Sequence, residues 1–378
     1  MSGKGLEGVV AAQTTLSHVY GEEGRLIYGG YDIADLAENV SFEEVCHLLW
    51  FGELPNQSRL DTLRSQLRDG MRVPAPVIDM LRTASPDTHP MAMLRTGVSA
   101  LTFFDGEADM NTPDANLSKA IRLTGQTITL TGAIARLRQG SEPLEARADY
   151  GLAQNLLFLM LGREPDSLET RIMDAALTLH AEHGMNASTF AARVTAGTLS
   201  DMHSAVVSAI GTLKGPLHGG ANEQVMEMLL QIGTPEHAQS WVRDALGRGE
   251  KIMGFGHRVY RTTDPRAPIL KTLAEELNRR GDGRRPWLEI SEHIQSTVRE
   301  EMDRKGKKIY PNVDFFSASV YYTLGIAKEM FTNLFACARM AGWTAHVIEQ
   351  FKDNRLIRPQ SEYIGAPSRR VAPIRDRT

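Results

Sequence analysis

The chain has 378 residues, with 42 Lys and Arg against 46 Asp and Glu and a formal net charge of −4. So even a balance, spread along the chain, excludes the basic face of a nucleic-acid binder and the polybasic patch of a membrane anchor. Hydrophobic residues make up 42% and charged residues 23%, which excludes a disordered chain and, at this length, fits about two domains.

Residues 1–10 carry one Lys, one Glu and no apolar run, so no secretory signal is expected. Residues 9–20, rich in Val, Thr and Ala, and residues 25–28 flank Gly21-Glu22-Glu23-Gly24. Two β-rich runs around a glycine-bracketed turn predict a β-hairpin. It is the only strand signal. Ser41 with Glu44 forms a capping box, and Val45, Leu48 and Leu49 follow at helical spacing. Leu60, Leu63 and Leu67 repeat that spacing. The most apolar stretch, residues 150–162, is interrupted by Gln154 and Asn155 and is too short to span a bilayer. Helical patterns continue over 175–183, 204–213, 222–232 and 317–330, punctuated by Pro and Gly. The two cysteines, Cys46 and Cys337, suit buried apolar positions better than a disulfide framework or a zinc site. A soluble cytoplasmic protein is expected.

Helices without alternating strands exclude a doubly wound sheet and give an all-α fold class. Between about residues 219 and 308 the composition shifts, with charged pieces at 278–285 and 303–308 set between flanks rich in Ala, Leu and Met. We read a large helical domain, 1–218 plus 320–378, carrying the hairpin, and a smaller helical domain, 219–319, inserted into it.

Three segments break the helical pattern. They are Lys214-Gly215-Pro216-Leu217-His218-Gly219-Gly220-Ala221-Asn222, then Gly254-Phe255-Gly256-His257-Arg258-Val259-Tyr260 with Asp264-Pro265-Arg266, and Pro311-Asn312-Val313-Asp314-Phe315. Taken singly, each has a plain reading: a glycine-flanked histidine serves as a turn or cap, and Asn and Asp start helices. Gly254-Phe255-Gly256 begins like a dinucleotide fingerprint, but Val259 replaces the third glycine and no strand precedes it. No P-loop is present. His180 and His183 stand at i, i+3, a spacing open to metal ligation, yet no His-Glu-x-x-His motif or nearby Cys completes a set, so no metal is expected.

In this order the three segments resemble the citrate synthase family. Tyr28-Gly29-Gly30-Tyr31-Asp32-Ile33 and Asn354-Arg355-Leu356-Ile357-Arg358-Pro359 extend the resemblance to both ends. It implies condensation of acetyl-CoA with oxaloacetate and water to citrate and CoA, with acetyl-CoA as co-substrate and no tightly bound cofactor. On the matching positions, Asp314 is the base, His218 donates to the thioester oxygen, and His257 donates to the oxaloacetate ketone. His183, Arg266, Arg339 and Arg358 match oxaloacetate-binding residues, a use that suits planar guanidinium forks. Arg358 would reach the partner subunit's site, so the resemblance implies a homodimer. The stretch Ile252, Met253, Gly254, Phe255 and Gly256 matches the adenine-recognising loop of CoA. Arg261, Lys307, Lys308 and Asn312 are candidate CoA contacts, with a plain surface role equally open for the two lysines. The chain starts almost at the hairpin, as in the family's shorter dimeric form, so an NADH-responsive domain is not expected. The close alternative is 2-methylcitrate synthase, which uses propionyl-CoA with the same residues. Alternatives of other classes are a metal-dependent hydrolase and a non-catalytic helical scaffold.

Overall fold

The computed structural model describes residues 4–280, 286–366 and 368–377; residues 1–3 and 281–285, the latter part of the expected charged piece, lie outside them. The described residues form sixteen α-helices, four short 3₁₀ turns and one small sheet, joined by loops. The all-α expectation holds. The hairpin is also present, with a difference. Strand β1 (Ser17–Tyr20) pairs antiparallel with β2 (Arg25–Tyr28), and a third strand, β3 (Tyr31–Asp32), pairs with β2. Residues 9–16 stay outside the sheet.

The helix Phe331–Lys352 runs through the core, buried along nearly its whole length. It packs against Pro113–Arg138, Ala187–Gly197, Met202–Leu213 and Ser167–His180. Small residues let it approach closely: a Cβ on Gly342 would stand 2.3 Å from the Ala181 carbonyl oxygen. Leu60, Leu63 and Leu67 are the buried stripe of Gln57–Asp69, as their spacing predicts. At Ser41 the Glu44 carboxylate accepts from the serine N–H and hydroxyl, at 2.8 and 2.7 Å. Cys46 and Cys337 are both buried free thiols.

Two helix ends differ from the sequence reading, and both shape the site. The helix expected over 175–183 ends at His180, so His183 stands on the following loop and does not share a helical face with His180. The run expected over 317–330 begins earlier and stops sooner. Asn312 caps a helix Val313–Thr323, and Gly325 at φ 92° turns the chain before the short 3₁₀ turn Lys328–Met330. Asp314 therefore lies in the first turn of a helix.

Among the helices between Ala221 and Thr323, Pro235–Gly247 packs on Trp287–Arg304, and Arg266–Asn278 packs on Val313–Thr323. No helix of the described residues is long and apolar enough to cross a membrane.

Candidate active site

Arg339 projects from the core helix, almost wholly buried. Its Nε donates to the His180 carbonyl oxygen at 2.7 Å, and its guanidinium lies 4.8 Å from the centroid of the Phe335 ring. Burial pulls its pKa down to about 10, against the opposing charge of Glu182. That charge acts on His183, His218 and Asp314, three residues from separate segments of the chain.

His183 follows the end of its helix, with Nε2 3.2 Å from the Tyr260 hydroxyl and its ring edge-on to His257 at 5.3 Å between centroids. Burial, then the Arg266 charge, holds it well below the usual histidine range, hence neutral. Behind it, the buried Glu182 accepts at Oε1 from Ser17 Oγ (2.9 Å), Gly184 N (2.6 Å) and His346 Nε2 (2.9 Å). Burial alone would raise this carboxyl, but His346 and the other partners outweigh it and leave it lowered.

His218 sits on the turn between Met202–Leu213 and Ala221–Ile232. Its Nε2 lies 2.8 Å from Ser188 Oγ and accepts from Ser188 N–H at 3.3 Å. That N–H is shared with Asn186 Oδ1, at 3.1 Å; with Nε2 as its second acceptor, the proton lies on Nδ1. His257 has the opposite arrangement. Its Nδ1 accepts from the N–H groups of Val259 and Tyr260, at 3.0 and 3.1 Å, so Nε2 carries the proton. Burial is the main cause that brings both histidines down to about 4, with Arg339 adding to it at His218 and Arg266 at His257. At neutral pH both are uncharged N–H donors.

Asp314 is raised to about 7 by burial, partly offset by Arg266 and Arg339. A carboxylate that titrates near neutrality suits proton abstraction. Arg266, at the start of its helix, is gripped by Asp264 through two hydrogen bonds, Nε to Oδ1 at 2.9 Å and Nη2 to Oδ2 at 2.8 Å. Asp264 Oδ2 also accepts from Val313 N–H at 3.2 Å, tying the arginine to the turn that carries Asp314.

The glycine loop is held to the same turn. Gly256 N–H donates to Tyr310 O at 2.8 Å, and Asn312 N–H to Gly254 O at 2.9 Å. Gly254 has φ 79°, and a Cβ there would stand 2.9 Å from Phe315 and Val225 atoms, so glycine is required on two counts. Ile252 is buried and Met253 partly so. Asn312 spends its amide locally: Oδ1 accepts from Asp314 N–H and Nδ2 donates to Gly256 O, both at 3.0 Å. Beside Phe255 lies a cavity of about 140 Å³ lined by Arg299, Lys307, Lys308 and Tyr310 among others. Both lysines are exposed, as is Arg261, whose N–H donates to Gly21 O at 3.0 Å.

Arg358 stands apart. It is exposed, just beyond Ile357, which lies against Gly197 at the far end of the helix Ala187–Gly197. Ser188, the partner of His218, opens that helix; nine residues at 1.5 Å put the two ends about 14 Å apart.

Sequence reasoning missed Glu182, Ser188, Tyr260, Asp264 and Arg299. Asp264 and Tyr260 lie inside the quoted motifs and Glu182 adjoins His183. Arg299, on a charged helix, carries no distinguishing signal.

A family model described as citrate synthase, C-terminal domain, matches residues 5–360. Citrate synthase 2 of Bacillus subtilis (strain 168) is 49% identical, over 99% of this chain and 99% of that protein. The 2-methylcitrate synthase 1 of Corynebacterium glutamicum is 43% identical, over 99% and 98%. A solved citrate synthase of the thermophilic archaeon Thermoplasma acidophilum, in ternary complex with carboxymethyl coenzyme A and oxaloacetate, superposes with a TM-score of 0.93. It is 34% identical, with 99% of each chain covered.

Proposed function

The chain belongs to the citrate synthase family, and we propose that its site condenses acetyl-CoA with oxaloacetate and water to citrate and CoA, the step that opens the tricarboxylic acid cycle. One observation carries the reading. Two neutral histidines present protons from opposite ring nitrogens, Nδ1 of His218 and Nε2 of His257, and a carboxylate that titrates near 7 feels both arginine charges that act on them, Arg339 on His218 and Arg266 on His257.

Asp314 takes a proton from the thioester methyl while His218 Nδ1–H holds the developing enolate oxygen. A positioned base contributes about 10²–10⁴-fold and an oxyanion donor about 10²–10³-fold. The enolate carbon attacks the oxaloacetate ketone, whose oxygen is polarised and then protonated from His257 Nε2. Water cleaves the resulting citryl thioester, releasing citrate and CoA. His183, Arg266 and Arg339 hold the dianion; with Nε and Nη2 committed to Asp264, Arg266 offers Nη1. The cavity beside Phe255, with Arg299, Lys307 and Lys308, suits the CoA phosphates.

The catalytic groups sit on a small domain, 219–319, and on the large domain formed by 1–218 and 320–378. Mutual packing of the helices within 221–323 supports this division. The active form is a homodimer completed by Arg358 of the second subunit, a role that suits its exposure in the single chain. The cytoplasm is the compartment, in keeping with two buried, unpaired thiols.

A free-thiol assay at saturating oxaloacetate, with acetyl-CoA and propionyl-CoA compared, tests the reading. Faster release from acetyl-CoA is expected. Preference for propionyl-CoA makes the protein a 2-methylcitrate synthase, and no release from either removes the condensation reading.

A further inference from the structure

We propose that the hairpin turn Gly21–Gly24 is the seat on which the loop carrying His257 rests, and that the bare backbone of Gly21 sets how deeply that loop sits. The inference rests on the role given to His257 above, and it makes Gly21 a positioning residue for oxaloacetate.

Three contacts define the seat. Gly21 O accepts the Arg261 N–H at 3.0 Å. A Cβ on Gly21 would stand 2.5 Å from the Val259 carbonyl oxygen and 3.2 Å from its Cγ1. A Cβ on Gly24 would stand 2.6 Å from Thr262 Cγ2 and 2.8 Å from the Thr263 carbonyl oxygen. The turn therefore meets the loop over residues 259–263 at a separation that only glycine permits.

The consequence reaches the imidazole directly. Val259 and Tyr260 are the residues whose N–H groups hold His257 Nδ1, so a displaced Val259 peptide carries the ring with it. The other end of the same hairpin holds the His183 loop. Ser17 Oγ donates to Glu182 and accepts from Gly184 N–H at 3.1 Å, and the Tyr28 hydroxyl donates to Glu182 O at 2.7 Å. One hairpin thus braces both loops, whose histidine rings meet edge-on at 5.3 Å. Nothing in the chemistry of condensation requires a sheet here; fixing the spacing of two loops from different parts of the chain does.

Gly21 permits a clean test because its φ lies outside the left-handed region, so alanine is allowed by the backbone and excluded only by Val259. To reach ordinary contact at 3.4 Å the loop must retreat by about 1 Å, a misplacement on the order of 10²-fold in rate at a reacting centre. Full-length wild type, Gly21→Ala and Glu22→Ala are compared by thiol release with oxaloacetate varied, by thermal unfolding, and by amide hydrogen exchange over residues 257–263. Gly21→Ala is expected to raise the oxaloacetate KM and lower kcat, with kcat/KM down about tenfold to 10²-fold, to exchange faster at 257–263, and to keep its melting temperature. Glu22→Ala should match wild type. Wild-type kcat and oxaloacetate KM in folded Gly21→Ala would overturn the proposal. If that variant does not fold, Thr262→Ala, which removes the methyl resting against Gly24, decides by the same measurements: unchanged KM and exchange overturn it. Should the wild type release no thiol, the condensation reading fails, and slow exchange of the Arg261 amide in wild type but not in Gly21→Ala still upholds the seat.

Discussion

Asp264 grips Arg266 by two parallel hydrogen bonds, at 2.9 and 2.8 Å, with both side chains almost wholly buried. Such a pair is a poor source of net stability, because desolvation cancels much of its attraction, but breaking it strands a buried charge. Asp264→Ala is expected to destabilise the protein by about 3–5 kcal/mol. Asp264→Asn keeps one acceptor and the shape, so it should fold yet let the guanidinium swing, raising the oxaloacetate KM about tenfold with a smaller change in kcat. Denaturant melts and steady-state kinetics on the two variants check this; an unchanged KM in Asp264→Asn would free Arg266 of any need for a fixed fork.

If Asp314 is the proposed base, a carboxyl raised to about 7 leaves a signature in pH. Above that value Asp314 is ionised and competent, so kcat/KM for acetyl-CoA should fall as pH drops below about 7, while the histidines, at about 4, stay neutral across that limb. The linkage has the opposite sign from a salt-bridged aspartate. The folded chain binds the Asp314 proton more tightly than the unfolded one, whose value is near 3.8, so this residue's contribution to stability is greatest below about 4 and is lost as pH rises through about 7. Asp314→Asn should therefore lose nearly all turnover but melt higher than wild type at pH 8, by roughly 2–6 °C, with the gap closing toward pH 4. A variant that melts lower at pH 8 contradicts the raised value.

How much of this could be read from residues alone depends on the scale of the interaction. Leu60, Leu63 and Leu67 bury as their 3.6-residue period requires, because that stripe has one way to leave water. His218, His257 and Asp314 were legible only as motifs. Their tautomers rest on Ser188, Val259 and Tyr260, and the elevated carboxyl on burial that outweighs Arg266 and Arg339, surroundings that no local pattern encodes. Residues alone carry the helix past His180 because Ala181 and Glu182 continue a helical pattern. What stops it is tertiary: the Arg339 guanidinium takes the His180 carbonyl, and Glu182 turns inward to Ser17 and His346. β3, at two residues, is too short for any alternation to show.

Ser188 connects His218, the proposed oxyanion donor, to the core. Its Oγ lies 2.8 Å from His218 Nε2 and accepts from Trp343 Nε1 at 3.1 Å. The hydroxyl also donates to Asn186 Oδ1 at 2.7 Å; Ser188→Ala removes this link, leaves only the longer backbone N–H, at 3.3 Å, beside His218 Nε2, and leaves the buried indole N–H unpaired at about 1–3 kcal/mol. Turnover should drop about tenfold or more, with the oxaloacetate KM little changed if His218 acts on the thioester as proposed. A selective rise in oxaloacetate KM would place Ser188 with the other substrate.

Arg358 tests the quaternary reading. In a single chain it is exposed, near the end of Ala187–Gly197 opposite the one that supports His218, about 14 Å along the helix. If its guanidinium completes the site of the second subunit, Arg358→Ala should raise the oxaloacetate KM strongly, since a charge-assisted hydrogen bond is about twice as strong as a neutral one and a bidentate fork makes two. Complementation separates a crossing role from a local one. Arg358→Ala and His257→Ala homodimers each lack one group in both sites. A mixed dimer whose arginines cross carries both lesions in one site and none in the other, so co-purified heterodimers should recover about half of wild-type activity per dimer, as a count of intact sites gives. If Arg358 acts within its own subunit, every site in the mixed dimer keeps one lesion. Verified heterodimers with no more activity than the two parents would then rule out the crossing arginine, while leaving the roles of Asp314, His218 and His257 untouched.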